Sequence, residues 1–190
     1  MKKIIIFLFI LFFPINVYAS ERTSAKLKNC IDGDTVDFII NEKEVKVRFL
    51  AIDTPELSSK DEFNKLYALK AKDYTCSKLL NAKKIEIEFD ENSKKNDKYG
   101  RTLGWVFYDD KLLQQQLIKN GYAKVSYLYD NYKYTDRLIK EEEKSRNKKI
   151  GIYSDTNVTK NTIKDLLSDF IDKISASVTE FISEILDQFF

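Results

Sequence analysis

Apolar and polar positions alternate with a period of two in two stretches of the chain. Val45, Val47 and Phe49 interleave with Glu44, Lys46 and Arg48, and Ile85, Ile87 and Phe89 interleave with Lys84, Glu86 and Glu88. That period marks a strand with one buried face. Thr35 to Ile40 is apolar-rich and is separated from the first stretch by the turn-like Asn41-Glu42-Lys43, so the two predict a hairpin. Asp53-Thr54-Pro55 ends a third strand, because the residue before a proline avoids helical angles. Arg101 to Tyr108 reads as a further strand, stopped by Asp109-Asp110. Helical spacing lies between and beyond these strands. Phe63, Leu66, Tyr67, Leu69, Tyr74, Leu79 and Leu80 predict a helix closed by Asn81. Leu112, Leu113, Leu117 and Ile118 predict a short one with Gly121 as its cap. Tyr134 to Lys149 is a charged helix with a thin apolar stripe, followed by Gly151. The expected class is α+β, mainly β: about five short strands with peripheral helices. Closing them into a small barrel would remove most exposed edges. Periodicity does not separate that barrel from a mixed open sheet.

The two ends carry different patterns. Lys2 and Lys3 precede the unbroken apolar run Ile4 to Phe13, then Pro14, and Val17-Tyr18-Ala19 offers a cleavage site before Ser20. This is the layout of a secretory signal over residues 1–19. The run is short against the roughly 20 residues of a bilayer span. Residues 20–154 then form the expected globular domain, and the expected location is secreted or otherwise extracytoplasmic. At the other end, Ile163, Leu166, Leu167, Phe170, Ile171, Ile174, Val178, Phe181, Ile182, Ile185, Leu186 and Phe189 share one face at helical spacing, with Asp165, Asp169, Asp172, Glu180 and Glu184 mainly off it. Residues 155–190 are therefore expected to form an amphipathic helical tail. Its apolar face, over residues 158–189, suits self-association, packing on its own domain, or contact with a membrane surface. The acids weaken the case for anionic lipid.

Composition sharpens this in three places. The chain has 190 residues, enough for one domain with a real core. Its 13 Phe and 11 Tyr can fill that core or stack on bases. Residues 20–153 carry 27 basic and 23 acidic side chains, whereas residues 154–190 carry three and seven, so the domain is the mildly basic part. That balance is compatible with a polyanionic substrate. Cys30 and Cys76 are the only cysteines. With no His beside them they cannot complete a structural zinc site. In an oxidising compartment they could pair, closing a loop of about 46 residues, worth roughly 4 kcal/mol in the loop-entropy account; two buried free thiols are the alternative.

The absence of His excludes an imidazole base or a His-based triad. What remains is hard-oxygen chemistry. Asp32, Asp34, Asp53 and Glu56 stand near strand ends, and Arg48 and Arg101 lie on or beside strands. Clustered carboxylates with waters and a backbone carbonyl suit Ca²⁺ or Mg²⁺. Guanidiniums suit phosphate oxygens through their planar fork of donors. A carboxylate near a metal can position or deprotonate a water. Each acid alone also reads as an ordinary turn residue.

Five segments in register resemble the staphylococcal nuclease (thermonuclease) family. They are Cys30-Ile31-Asp32-Gly33-Asp34-Thr35, Arg48 through Glu56 (RFLAIDTPE), Asn81 through Asp90 (NAKKIEIEFD), Asp97-Lys98-Tyr99-Gly100-Arg101, and Gly121 through Tyr129 (GYAKVSYLY). The resemblance runs from about Lys28 to Ser154. It implies a five-stranded OB-fold barrel with three peripheral helices, and hydrolysis of phosphodiester bonds in DNA and RNA with Ca²⁺. It implies cleavage of the P–O5′ bond, leaving 3′-phosphate products. It assigns Asp34 and Asp53 as side-chain metal ligands and Thr54 as a backbone-carbonyl ligand, with Asp32 beside the metal. Glu56 would be the general base on the attacking water. Arg48 and Arg101 would grip the scissile phosphate, Tyr99 and Tyr127 would shape the nucleotide pocket, and Lys98 and Tyr129 would make weaker substrate contacts.

Two departures bear on this. Leu57 to Asp73 lacks the family's glycine-containing stretch, and the turn Asp90 to Asp97 is about one residue longer. The tail after Ser154 lies outside the resemblance. A binding module without catalysis is the main competing reading, since OB-type barrels bind single strands through stacking aromatics. Such a decay should remove an acid or an arginine, and Asp34, Arg48, Asp53, Glu56 and Arg101 are all present. A third reading makes the tail, as an assembly or attachment element, the main business of the chain.

Overall fold

The hairpin expected from alternation forms around Asn41 and Glu42, which both take positive φ, 49° and 65°. It joins β3 (Thr35–Ile40) to β4 (Lys43–Phe49), in antiparallel register from Thr35 opposite Arg48 to Ile40 opposite Lys43. The computed structural model describes residues 22–154 and eight single residues of the C-terminal segment. Ahead of the hairpin come β1 (Arg22–Ser24) and β2 (Lys26–Cys30); after it come the two-residue β5 (Ile52–Asp53), then β6 (Ile85–Glu88), β7 (Thr102–Tyr108), β8 (Lys111–Leu112) and β9 (Lys124–Val125). The main sheet runs β1-β6-β7-β4-β3-β2, with β8 on β7, and β5 pairs separately with β9. Five longer strands with three helices agree with the expected OB-like α+β fold, but the sheet is not closed: β1 and β2 stand at opposite ends of its order.

One pairing in this sheet is parallel, and it builds the site. β4 lies beside β7 with Val47 opposite Thr102, Arg48 opposite Leu103 and Phe49 opposite Gly104. Thr35, Arg48 and Leu103 therefore stand in a row across three strands, and Arg101, just before β7, is brought to the same edge.

The helices fall close to their expected bounds. α1 (Glu62–Leu80) starts on Asp61, whose carboxylate accepts the Asn64 amide at 2.9 Å, and ends on Asn81. Its buried face is Phe63, Tyr67, Ala68, Ala71, Thr75 and Leu79. Leu69 and Leu80, expected on that face, are exposed. α2 (Leu113–Lys119) and α3 (Thr135–Asn147) pack on each other, and the chain closes with a short 3-10 turn, Gly151–Tyr153. Gly121 and Gly151 meet with so little space that a Cβ on Gly151 would fall 2.1 Å from the Gly121 carbonyl oxygen. No side chain fits there, and both residues take positive φ.

The core is a continuous set that includes Val36, Phe38, Val47, Phe49, Ile52, Ile87, Trp105, Leu112, Leu117 and Leu138. One strand departs from its alternation. Phe89 is 43% exposed while Glu88 is 1% exposed. Three donors explain the inversion: Lys133 Nζ lies 2.8 Å, Tyr134 Oη 3.0 Å and Arg22 Nε 3.3 Å from the Glu88 carboxylate. A buried carboxylate with such partners is tolerated, where an unpaired one would not be.

Residues 1–19 and most of the tail lie outside the described residues. Lys164, Asp165, Ser168, Ile171, Asp172, Ile174, Ser175 and Val178 are described; they are helical and exposed, the three apolar ones included.

Candidate active site

Asp34 ends the tight turn that follows β2. The turn is closed by the Ile31 and Asp32 amides, which both donate to the Thr35 carbonyl at 3.2 Å. Asp32 accepts the Asp34 amide at 3.1 Å, so it shapes the turn from within. Asp34 itself is buried, and its carboxylate is crowded with partners. Oδ2 accepts the Thr54 amide at 2.8 Å and the Thr54 hydroxyl at 2.9 Å, and Oδ1 accepts the Thr35 hydroxyl at 3.2 Å. Thr54 thus reaches Asp34 through its amide and hydroxyl, contacts that the carbonyl role expected of it does not include.

Arg48 lies between two acids. Nη1 is 3.1 Å from Asp34 Oδ2, and Nη2 donates to Asp53 Oδ1 at 3.2 Å. Nη1 also donates to the Phe49 carbonyl at 3.1 Å, which fixes the plane of the guanidinium. Asp53 sits opposite Lys124 in the β5–β9 pair, and the Lys124 ammonium comes within 3.4 Å of its other oxygen. Lys124 is therefore a basic neighbour of the site that the sequence reading did not assign. The same pairing continues through the Ser126 amide to the Ala51 carbonyl, 3.0 Å, and brings the Tyr127 ring to 5.6 Å from the Arg48 guanidinium. Tyr127 takes φ +57° there, and Tyr129 stands beside it with ring centroids 6.3 Å apart. Both rings are exposed.

The second arginine arrives on a different device. Asp97 accepts the Tyr99 and Arg101 amides at 2.9 Å each and the Arg101 Nε at 2.7 Å. Its own amide donates back to the Arg101 carbonyl at 2.9 Å, with Gly100 at φ +79° completing the turn. Arg101 Nη1 then reaches Thr35 Oγ1 at 3.4 Å, the hydroxyl that donates to Asp34. The exposed Tyr99 ring lies 5.4 Å from the Arg101 guanidinium and 4.9 Å from the Lys98 ammonium. Asp97, to which the motif alone assigns no role, aims Arg101.

Glu56 follows β5 on an exposed turn, where its carbonyl accepts the Ser59 amide at 3.1 Å. Among the described residues no side-chain bond joins its carboxylate to the cluster.

The acids differ in their hold on a proton. Burial pushes the Asp34 carboxyl up to about 6, with the charge of Asp32 adding to it and Arg48 and the Thr54 donors opposing it. Asp97 shows the reverse. Partial desolvation would raise it, but the Arg101 side chain and the two amides outweigh this and hold it below the usual carboxylate range.

The donor set available to a metal is all oxygen, which suits a hard cation. Among the described residues no three His, Cys, Asp or Glu side chains are grouped to hold an ion. The protein side of such a site would be two carboxylates, Asp34 and Asp53, with backbone oxygen and water completing the shell. The raised proton affinity of Asp34 fits that use: a buried carboxylate beside another acid is relieved by added positive charge.

A sequence model of the family described as staphylococcal nuclease homologue matches residues 46–155. Endonuclease YncB of Bacillus subtilis (strain 168) is 37% identical over 135 residues, covering 70% of this chain and 63% of that protein. The SPbeta prophage-derived endonuclease YokF of the same organism is 36% identical over 135 residues, 70% of this chain and 45% of its own length. The thermonuclease of Staphylococcus hyicus is 32% identical over 136 residues, 72% of this chain and 78% of its own length. The match thus takes in less than two thirds of either Bacillus relative.

Proposed function

Because the chain belongs to the staphylococcal nuclease family, we propose that it is an exported enzyme that hydrolyses phosphodiester bonds of DNA and RNA with Ca²⁺ and leaves 3′-phosphate ends. The observation that supports this best is the convergence of two guanidiniums on one acidic cluster. Arg48 lies between Asp34 and Asp53, and Arg101 reaches Thr35, whose hydroxyl meets Asp34. A phosphodiester under attack gathers negative charge on its non-bridging oxygens, and donors fixed in place beforehand stabilise that charge most.

In this reading Arg48, from β4, and Arg101, from the turn before β7, bind the scissile phosphate. Asp34, Asp53 and the Thr54 carbonyl would hold the cation, which would supply Lewis-acid charge and ease the loss of a proton from water. Glu56, exposed after β5, takes the proton from the attacking water. Tyr127 and Tyr129 offer an exposed pair of rings to a base, and the Tyr99 ring, near both the Arg101 guanidinium and the Lys98 ammonium, serves the phosphate end. Export is supported by the residues 1–19 layout and by the Cys30–Cys76 disulfide, a bond that persists in oxidising compartments.

The deciding assay offers purified protein DNA and RNA, with Ca²⁺ and with chelator. Both substrates should be cut only with the cation, and the ends should resist polymerase extension until dephosphorylated. Cutting that survives chelation would remove the cation from the reading. Binding of single strands without any cutting would establish the binding module instead.

A further inference from the structure

The acidic turn of the site is held from behind by α1. Gly33 lies so close to the helix that a Cβ on it would meet the Ala71 Cβ at 2.6 Å and the Thr54 Cγ2 at 2.9 Å. Thr75, one turn after Ala71 and fully buried, donates its hydroxyl to the Gly33 carbonyl at 2.7 Å. The next residue, Cys76, is bonded to Cys30, the last residue of β2, with Cα atoms 5.9 Å apart. Two successive helix residues therefore grip the turn Ile31–Asp34, one at its entry and one at Gly33. From the front, Thr54 holds the Asp34 carboxylate through its amide and hydroxyl. The disulfide also closes a ring of chain that contains Asp32, Asp34, Arg48, Asp53, Thr54 and Glu56. Lys98, Tyr99, Arg101, Tyr127 and Tyr129 all lie outside it.

We propose that Thr75 and the Cys30–Cys76 bond form one redox-sensitive brace that positions the Asp34 turn for a divalent cation. This rests on Asp34 being a cation ligand, as read above. Thr75 and the cysteines are positioning residues that act through the Gly33 backbone. A dithiol opens the brace by passing two electrons and two protons to the disulfide: the S–S bond breaks, Cys30 and Cys76 become thiols, and the reductant closes to its own disulfide. Neither cysteine is fully buried. With the bond open, the Thr75 hydroxyl still ties α1 to the turn. Groups that orient a metal ligand typically contribute about 10- to 100-fold in metal affinity. The braced site is therefore weak under reducing conditions and reaches full cation affinity once oxidised.

The test uses the full chain with Ca²⁺ alone. Calorimetric titration compares the oxidised protein, the dithiol-treated protein, Thr75→Val and Thr75→Ser, each confirmed folded by circular dichroism. Amide hydrogen exchange in the cation-free protein follows residues 31–35, with residues 97–101 as reference. The dithiol-treated and Val forms should bind Ca²⁺ about tenfold more weakly and exchange faster at residues 31–35, with residues 97–101 unchanged. The Ser form, which keeps the hydroxyl, should match the oxidised protein. Unchanged exchange at residues 31–35, or faster exchange with unaltered Ca²⁺ affinity, overturns the brace. If the oxidised protein takes up no Ca²⁺, the cation reading fails, and the exchange arm still decides whether the brace exists. Should Thr75→Val not fold, the dithiol-treated protein decides alone.

Discussion

Asp34 and Arg101 meet through one hydroxyl, that of Thr35, yet they reach it from different surroundings. Asp34 is 5% exposed, follows a glycine packed against α1, and lies within a disulfide-closed ring of chain. Arg101 comes from a partly exposed turn whose geometry depends on one carboxylate, that of Asp97. In the first region position is enforced by packing, covalent linkage and several partners. In the second it is enforced by a local motif that any exposed chain could form. The expected consequence is that damage in the acidic region appears in both stability and activity, and damage in the Asp97–Arg101 turn appears mainly in activity.

Arginine-to-alanine changes test that split most directly. Arg48→Ala and Arg101→Ala should each lower turnover by about 10³-fold, within the usual range for losing a donor aimed at developing charge. Their stabilities should differ. Arg48→Ala leaves Asp34 and Asp53 without their shared cation and should cost about 3 kcal/mol; Arg101→Ala breaks a partly exposed pair and should cost less than about 1 kcal/mol. Steady-state rates and urea melts on the two variants decide this. Equal stability losses would mean that the two regions are built alike.

The covalent link should show next. Replacing Cys30 and Cys76 together by serine frees a loop with a sequence separation of 46, and should lower stability by roughly 4 kcal/mol in the loop-entropy account. A melt of the double variant against the oxidised protein checks it. Glu56→Gln should follow, with turnover lower by roughly 10²-fold and a melting curve that does not move, since Glu56 is exposed. Full turnover with Ca²⁺ in that variant would remove Glu56 as the base.

Sequence reading captured what repeats or is spelled out locally. The β3–β4 hairpin, the extent of α1 and the acidic motif all follow from period, turn residues and short-range order. It missed elements whose cause is distant. Thr75 carries no apolar signal, and its bond to Gly33 spans 42 positions. Glu88 occupies what alternation marks as an outward position, and is buried because Arg22, Lys133 and Tyr134 converge on it from other elements. β5 and β9 are two residues each, too short for any period, yet their pairing sets Lys124 beside Asp53. For the site, the motifs named residue types at a spacing but not their bonding. That Arg48 lies between Asp34 and Asp53, and that Thr54 reaches Asp34 through its hydroxyl, required the fold.

The smallest expected effect is the one that gives the two regions opposite signs. Asp34 has its proton affinity raised by burial, to about 6 against an ordinary value of 3.8. A group raised on folding holds its proton more tightly in the folded state, so its contribution is fully present below about pH 4 and is lost as pH rises through 6. Asp97 is lowered by its bonds to Arg101 and Tyr99. Its contribution is present above the unfolded value and is lost as pH falls below about 4. The two windows therefore adjoin without overlapping. In chelator, the wild-type protein should lose about 2 kcal/mol between pH 4 and pH 6 relative to Asp34→Asn, which carries no titrating group there. Asp97→Asn should keep the wild-type slope between pH 4 and pH 6, lie below wild type there by a constant amount, and converge with it as pH falls below about 4. Urea melts at unit pH steps measure both. A wild-type curve that runs parallel to Asp34→Asn from pH 4 to 6 would mean that the buried turn tolerates its charge without cost, and the contrast between the two regions would then rest on packing alone.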